Sequence, residues 1–379
     1  MAGRRDVKVG SGASGVNVRG YWLLRANGDW ANAMTASADG KVSLTSFDIA
    51  ADAASQHWVI LTAEETQAFD SAARGSVLAE LTALIGNLRA MMQTAHTEDV
   101  ADADAVLEAA LAEAEAVVAN AEATLDVLQA ACKVLRQAGM DFLGSVTPVS
   151  VDEPFDLTFL MADPAITTGE GWSVLKSVVS SCIEFYEQAF DFNQTIEVPA
   201  GTYDLRAQAF NRPGEAAAVY ADYHKGKNNV VAYLYAGSAS TKICHLAEGA
   251  SPTKLHSDDK AMTSPQGYVP NTMASSATHF AKGYYDNSLV FNLSAPTNLK
   301  VGLRQTTSAS YYWTIFDNFR LYYYGSMSVD KVTSVDCIDT DDVSSRSAVY
   351  NIYGQKIADS PSGLPRGLYI YNGKKVFVQ

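Results

Sequence analysis

The sequence predicts a mainly β chain organised around a two-sheet sandwich, with an α-helical insert ahead of it and a small β domain behind it. Three observations carry that reading. Between Thr202 and Phe210, Tyr203, Leu205, Ala207 and Ala209 alternate with Asp204, Arg206 and Gln208, the pattern of an antiparallel strand with one buried face. Upstream, Leu107, Leu111, Ala114, Val118, Ala121, Leu125, Leu128, Cys132 and Leu135 recur at helical three- and four-residue steps. Near the C-terminus, Asn372-Gly373 joins two β-rich runs, a two-residue hairpin signal.

The 379 residues exceed one ordinary core, so several domains are expected. No apolar run approaches the roughly 20 residues of a membrane span, so no membrane insertion is expected. A net charge of −14 excludes a nucleic-acid partner, which needs a basic face, and argues against docking on an anionic bilayer. That charge is concentrated: residues 62–141 hold 14 acidic and 4 basic side chains, and none of the 19 Tyr. The remainder is nearly neutral and Tyr-rich, which suits a neutral polar ligand.

Residues 1–18 read as a flexible leader around Ser11-Gly-Ala-Ser-Gly15, without the apolar h-region of a signal peptide. Residues 19–61 read as short strands at Tyr21–Asn27, Val42–Phe47 and His57–Leu61. Gln56-His-Trp58 matches the Gln-x-Trp motif, and with Tyr21-Trp-Leu-Leu24 the segment resembles one truncated repeat of the ricin-type β-trefoil lectins. One repeat of three makes no complete trefoil, so it is expected to cap the helices, with Trp58 in the core.

Residues 62–141 read as a helical hairpin or coiled coil. Thr62-Ala-Glu-Glu65 is a capping box, and Leu78, Leu81, Ile85, Leu88 and Met92 form one apolar stripe. A second helix is expected to run unbroken from about Glu98, capped by Thr97, to Ala138, with Gly139 closing it. It reads as a rigid spacer, with an oligomerisation arm as the alternative; Val146–Ser150 reads as an extended linker.

Residues 142–325 form the sandwich. Beyond the Thr202–Phe210 strand, Gln194–Val198, Val230–Tyr235, Ser288–Leu293 and Leu299–Arg304 read as strands. The order Asp163-Pro164 … Gly171-Trp172, Val198-Pro-Ala-Gly-Thr-Tyr203, Tyr268-Val-Pro-Asn-Thr-Met273, Gly283-Tyr-Tyr285 and Trp313-Thr-Ile-Phe-Asp-Asn-Phe319 resembles jelly-roll carbohydrate-binding modules of secreted proteins of Gram-negative gut anaerobes. The opening departs from that family: Asp163-Pro-Ala-Ile166 stands where Asn-Pro-x-Phe is usual. The resemblance implies a jelly-roll β-sandwich that binds a neutral glycan and, in many members, a structural Ca²⁺. Asp317 matches the metal-ligating position and Asp163 could face it. The alternative for Asp317 is a strand-end carboxylate bonding loop N–H groups, since calcium wants six to eight oxygens.

Saccharides stack their C–H faces on aromatic rings, with amides and charged groups bonding the hydroxyls. The loop-borne candidates are Tyr220, Tyr223, Tyr268, Asn271, Tyr284, Tyr285, Tyr311 and Tyr312, with Arg212 as a hydrogen-bond donor; Trp172 and Trp313 are expected to be buried. No nucleophile elbow, zinc-protease helix, phosphate loop or Cys-x-x-Cys is present, so the chain does not read as an enzyme. The six His are scattered, and Asp258-Asp259 reads as a solvated loop pair. Cys132 reads as a core thiol, while Cys182 and Cys244 are candidates for a disulfide whose pairing sequence does not decide.

Residues 326–347 read as an acidic linker and 348–379 as a β domain. There, Tyr353-Gly-Gln-Lys-Ile357 followed by Leu364-Pro-Arg-Gly-Leu-Tyr369 is similar to the C-terminal sorting domains of type IX secretion cargo. That similarity implies a protein secreted or held at the outer cell surface, with its export signal absent from this chain. Three functions are open: a non-catalytic glycan-binding protein, an adhesion or scaffold protein that binds a surface protein, and a glycoside hydrolase whose carboxylate pair only three dimensions would reveal.

Overall fold

A computed structural model describes residues 4–9, 16–22, 32–36, 42–46, 57–59, 63–333, 349–350, 356–358, 360, 364, 367–371 and 374–378. The chain divides into two compact units, Met1–Met327 and Ser328–Gln379. The first unit opens with β1 (Arg4–Val9), β2 (Val16–Trp22), β3 (Asn32–Ala36), β4 (Val42–Ser46) and β5 (His57–Val59). The expected flexible leader therefore contributes strand: β1 pairs antiparallel with β2, placing Val7 opposite Val18 and Val9 opposite Val16. Alternating β-branched residues favour this pleated pairing. Trp58 pairs with Tyr21 across β5 and β2; Gln56 and Thr62 lie outside the described residues.

The helical insert has three helices rather than two. They are α1 (Ala63–Met91), α2 (Ala103–Ala119) and α3 (Leu125–Leu143). Thr97 does not cap a helix, because β6 (His96–Glu98) pairs with β7 (Val146–Pro148). The apolar spacing ran straight through a turn that local polar groups enforce. Asn120 ends α2 and its side chain accepts the Glu122 N–H at 3.0 Å, while the Thr124 hydroxyl caps α3 by accepting the Val127 N–H. Ala121 is accordingly exposed, whereas Leu107, Leu111, Leu128 and Leu135 are buried. Gly139 does not end α3 but lets it approach α1, since a Cβ there would lie 2.9 Å from Leu88 Cδ2. Arg89 bridges α1 to Glu115 and Glu108 of α2, and Arg136 bridges α3 to Glu80 of α1.

Val146–Ser150 is no loose linker. Val146 is buried, and His96, Phe142, Phe155 and Tyr323 form a chain of ring contacts from the helices into the sandwich. Gly325, at φ +57°, packs where a Cβ would lie 2.5 Å from Thr147 Oγ1. Helices and sandwich thus share one core.

The sandwich elements begin with β8 (Phe155–Asp156), β9 (Ile183–Tyr186), β10 (Phe190–Val198), β11 (Gly201–Pro213), α4 (Ala216–Tyr223), β12 (Ala232–Ala236), β13 (Ala239–Lys242) and β14 (Cys244–His245). They continue with β15 (Lys260–Thr263), β16 (Gln266–Val269), α5 (Met273–Phe280), β17 (Asp286–Leu293), β18 (Thr297–Gln305) and β19 (Tyr312–Tyr323). One sheet is antiparallel in the order β10-β18-β12-β13. The other runs β14-β11-β19-β8, with β17 also on β11 and β9 also on β19. Between them Phe192, Ile196, Leu205, Ala207, Ala209, Leu234, Val301, Leu303 and Phe316 are buried, as the alternation in β11 requires. The expected β-sandwich with a helical insert is what forms.

The second sheet is covered on its outer face as well. There α4, α5 and the β15–β16 hairpin supply Tyr220, Met262, Val269 and Phe280 to a second core with Phe210, Trp313 and Ile315. The second unit holds α6 (Val329–Thr333), inside the expected linker, and β20 (Val349–Tyr350), β21 (Lys356–Ala358), β22 (Gly367–Tyr371) and β23 (Lys374–Val378). Its sheet order is β21-β20-β22-β23, and Tyr371 pairs with Lys374 at the end of the β22–β23 ladder, as a hairpin there requires; Asn372 and Gly373 lie outside the described residues.

Candidate ligand-binding surface

The structure divides the candidate residues between two places. Tyr220, Tyr223, Tyr268, Tyr284 and Tyr285 belong with the cover of the second sheet rather than with mobile loops. Tyr220 and Tyr223 lie on α4, which Glu215 caps by accepting the Ala217 and Ala218 N–H groups. Tyr220 and Tyr285 are core residues, each 3% exposed, and the Tyr285 hydroxyl donates to Leu246 O at 2.8 Å. Neither can present a ring to a ligand. Tyr223 is half-buried and stacks on His245 at 4.7 Å; Tyr284 is half-buried against the edge of His279. Tyr268 is a half-buried β16 residue, and Asn271 is exposed with its backbone N–H on Ser275 Oγ.

Arg212, Tyr311 and Tyr312 gather instead at the rim where the cover ends. Strand register sets Tyr186 of β9, Trp313 of β19 and Arg212 of β11 side by side. The Arg212 guanidinium lies 5.0 Å from the Trp313 ring centroid and 5.8 Å from that of Tyr186. Trp313 is buried and anchored by its indole N–H on Glu184 Oε2 at 2.8 Å. Tyr186 and Tyr311 are respectively 43% and 53% exposed. Tyr311 adopts φ +66°, a backbone shape unusual outside glycine. Two bonds hold it there: its N–H donates to Glu187 Oε1 at 2.7 Å, and Arg212 Nε donates to its carbonyl at 3.3 Å.

The electrostatics are those of a partly dried cation among acids. Burial pulls Arg212 below the usual arginine range, opposed by Tyr186, Glu215, Glu184 and Glu187. Burial and a hydrogen bond to Glu187 push the Tyr186 phenol up, so it stays a neutral donor. The rim therefore offers two exposed ring faces, one guanidinium and nearby carboxylates, a set able to stack on a flat apolar face and bond hydroxyls. Reading the sequence missed Tyr186, Glu184 and Glu187. The alternation in Ile183-Glu-Phe-Tyr186 marks a strand, but which residues it would neighbour is a matter of register.

Asp163 and Asp317 are placed less favourably for a metal. Both Asp163 oxygens are taken by its own loop: Oδ1 accepts from the Thr167 N–H and hydroxyl, and Oδ2 from the Thr168 N–H, the Thr168 hydroxyl and the Gly169 N–H. These bonds outweigh burial and hold the Asp163 carboxyl down at about 2. Asp317 Oδ1 accepts the Asn318 N–H at 2.6 Å, and burial pushes that carboxyl up to about 7. Calcium takes six to eight oxygen ligands, more than these two carboxylates supply by themselves. Among the described residues no cluster of three His, Cys, Asp or Glu side chains is suited to a metal.

Other expectations change on folding. Cys182 and Cys244 are separate free thiols, both pushed up by burial. Asp259 is buried, not solvated, and lies 3.2 Å from His279. A cleft of about 460 Å³ lies away from the rim, between α1, α3 and the end of β10, lined by Val77, Glu80, Cys132, Arg136 and Glu197. No helix among the described residues is long and apolar enough to cross a membrane. Comparison with protein-family models, curated proteins and solved structures finds no match for this chain.

Proposed function

We propose that this protein is a non-catalytic glycan-binding protein, secreted or displayed at the outer cell surface, and that it takes a neutral saccharide on the Tyr186–Arg212–Tyr311 rim. The observation that carries the reading is the partial exposure of Tyr186 and Tyr311 beside Arg212, whose guanidinium lies over the Trp313 and Tyr186 rings while Glu187 and Arg212 brace the Tyr311 backbone. A flexible surface tyrosine would need no such bracing, whereas a stacking platform gains from rings already ordered before the ligand arrives. The two packed, mostly antiparallel sheets support treating this domain as a jelly-roll module, and the hairpin-built C-terminal sheet supports its reading as a sorting domain.

A neutral-glycan array spanning plant, mucin and microbial structures tests the proposal. Binding should weaken about tenfold or more in Tyr311→Ala and in Arg212→Ala, as loss of one stacking contact or charge-assisted bond implies. Silence across the array, with the fold intact by circular dichroism, would sink it. A second reading has one observation in its favour: exposed Tyr beside Arg is also the composition of protein-binding hot spots. Capture of a surface protein that free sugars do not displace would favour that adhesion role.

A further inference from the structure

The geometry points to a pH-released latch: Asp259 and His279 tie the loop entering β15 to α5 within the cover of the second sheet, and mild acid loosens that cover, unseating Trp313 from beneath Arg212. The two side chains are fully buried, with His279 Nε2 3.2 Å from Asp259 Oδ1. Yet neither His279 nitrogen nor Asp259 Oδ1 has an aligned hydrogen-bond partner. Buried polar atoms in native proteins are nearly always bonded, and here the imidazole and the carboxylate face each other at 3.2 Å without good alignment.

The pair joins parts of the cover that are distant in sequence. Asp259 Oδ2 accepts the Leu255 and His256 N–H groups and so organises the loop entering β15. His279 sits in the last turn of α5, whose first turn is fixed by the Thr272–Ser275 capping box. The Thr272 hydroxyl also donates to Asp258 Oδ2. The groups facing His279 are Asp259 and His256 from that loop, Tyr284 and Tyr285 from the segment after α5, and the Gly249 backbone.

Charging His279 in place puts an imidazolium where no water reaches it, and opening the cover supplies that water. Burial lowers the His279 pKa more than the Asp259 interaction raises it, so the folded state keeps it neutral around pH 7. A second histidine acts in the same sense. His245 is 1% exposed, faces Tyr223 and His224, and its Nδ1 accepts the Ala247 N–H; burial pulls it down to about 4. For both groups the opened chain binds protons that the closed chain refuses. Closure therefore weakens as pH falls below about 6.5 and stops weakening once the folded-state values are passed.

Release would expose Phe210, Phe280 and Met262 and loosen Trp313, which packs edge-on against Phe210 at 5.2 Å. The link to ligand binding rests on the glycan reading; the latch itself does not. The test is anilinonaphthalene sulfonate fluorescence of the full chain, titrated from pH 7.5 to 4.5. A several-fold rise centred below pH 6.5, with far-UV circular dichroism retained, is expected. His279→Gln should move that midpoint by at least about half a pH unit, and a curve superimposing on wild type overturns the latch. Should that variant not fold, histidine proton NMR of the wild-type chain decides. His279 and His245 should both titrate below 6.5, and titration of both at or above it overturns the proposal. Dye uptake without glycan binding at pH 7.5 supports the latch and counts against the glycan reading alone. Dye uptake at pH 5 with unchanged glycan affinity overturns the link through Trp313.

Discussion

Two buried polar clusters in this molecule have almost the same burial and opposite bonding. At the inter-sheet core, Asn211, Gln305 and Thr314 are each 0% exposed. Asn211 Nδ2 donates to Gln305 Oε1 and Thr314 Oγ1, the Thr314 hydroxyl donates to Gln305 Oε1, and Gln305 Nε2 donates to Gln188 O. Asn211 Oδ1 also accepts the Val231 N–H, so both sheets meet in one satisfied network without a formal charge. Under the cover, Asp259 and His279 are as deeply buried but meet at 3.2 Å without a well-aligned hydrogen bond. The contrast teaches that burial alone does not stabilise polar groups. The first cluster locks two sheets at any pH, and the second holds a lid whose closure depends on protons.

The largest effect should come from breaking the satisfied network. Asn211→Ala strands the Val231 N–H and removes one donor each from Gln305 Oε1 and Thr314 Oγ1, and is expected to cost about 3 kcal/mol or more in urea unfolding. A cost below about 1 kcal/mol would put the two clusters on equal terms. Next in size is the acid limb. With Asp317 replaced by Asn to remove its opposing titration, stability should fall between about pH 6.5 and 4.5, and His245→Gln should flatten part of that fall, because His245 is neutral in the fold down to about 4. Stability unchanged across that range would end the distinction drawn here.

A smaller effect sharpens the comparison from the other side. Asp317 is raised to about 7 by burial, so folding favours its protonated form, and its contribution is lost as pH rises from about 4 through 7. Asp317→Asn should therefore stabilise the protein at pH 8 by on the order of 1 kcal/mol after screening, and leave it unchanged near pH 4, isolating the histidine limb. No gain at pH 8 would show that the Asp317 carboxylate is well solvated. The smallest effect concerns calcium. With Asp163 committed to its own loop, melting in excess calcium and in EDTA should agree within about 1 °C; a rise of several degrees would show that Asp317 recruits further oxygens.

Local patterns were legible where one face of an element decides its fate. The Tyr203–Ala209 alternation marked β11, the Leu81–Leu88 stripe marked α1, and Asn372-Gly373 marked the last hairpin. Where neighbours decide, the same patterns misled. Ala121 kept its step through a turn that Asn120 and Thr124 enforce. Tyr220 and Tyr285 looked like ligand platforms because nothing local says that the outer face of the second sheet is covered. Asp259 looked solvated because its partner is His279, on another element.

By itself, the amino-acid order determined which segments become strand or helix and which face of each is apolar, because those properties repeat within a few residues along the chain. Tertiary structure alone decided that Tyr186, Trp313 and Arg212 stand in one row, that Asp259 meets His279, and that the outer face of the sheet is dry. Each of those depends on strand register and on which element lands against which, and such pairings leave no periodic trace in the order of residues.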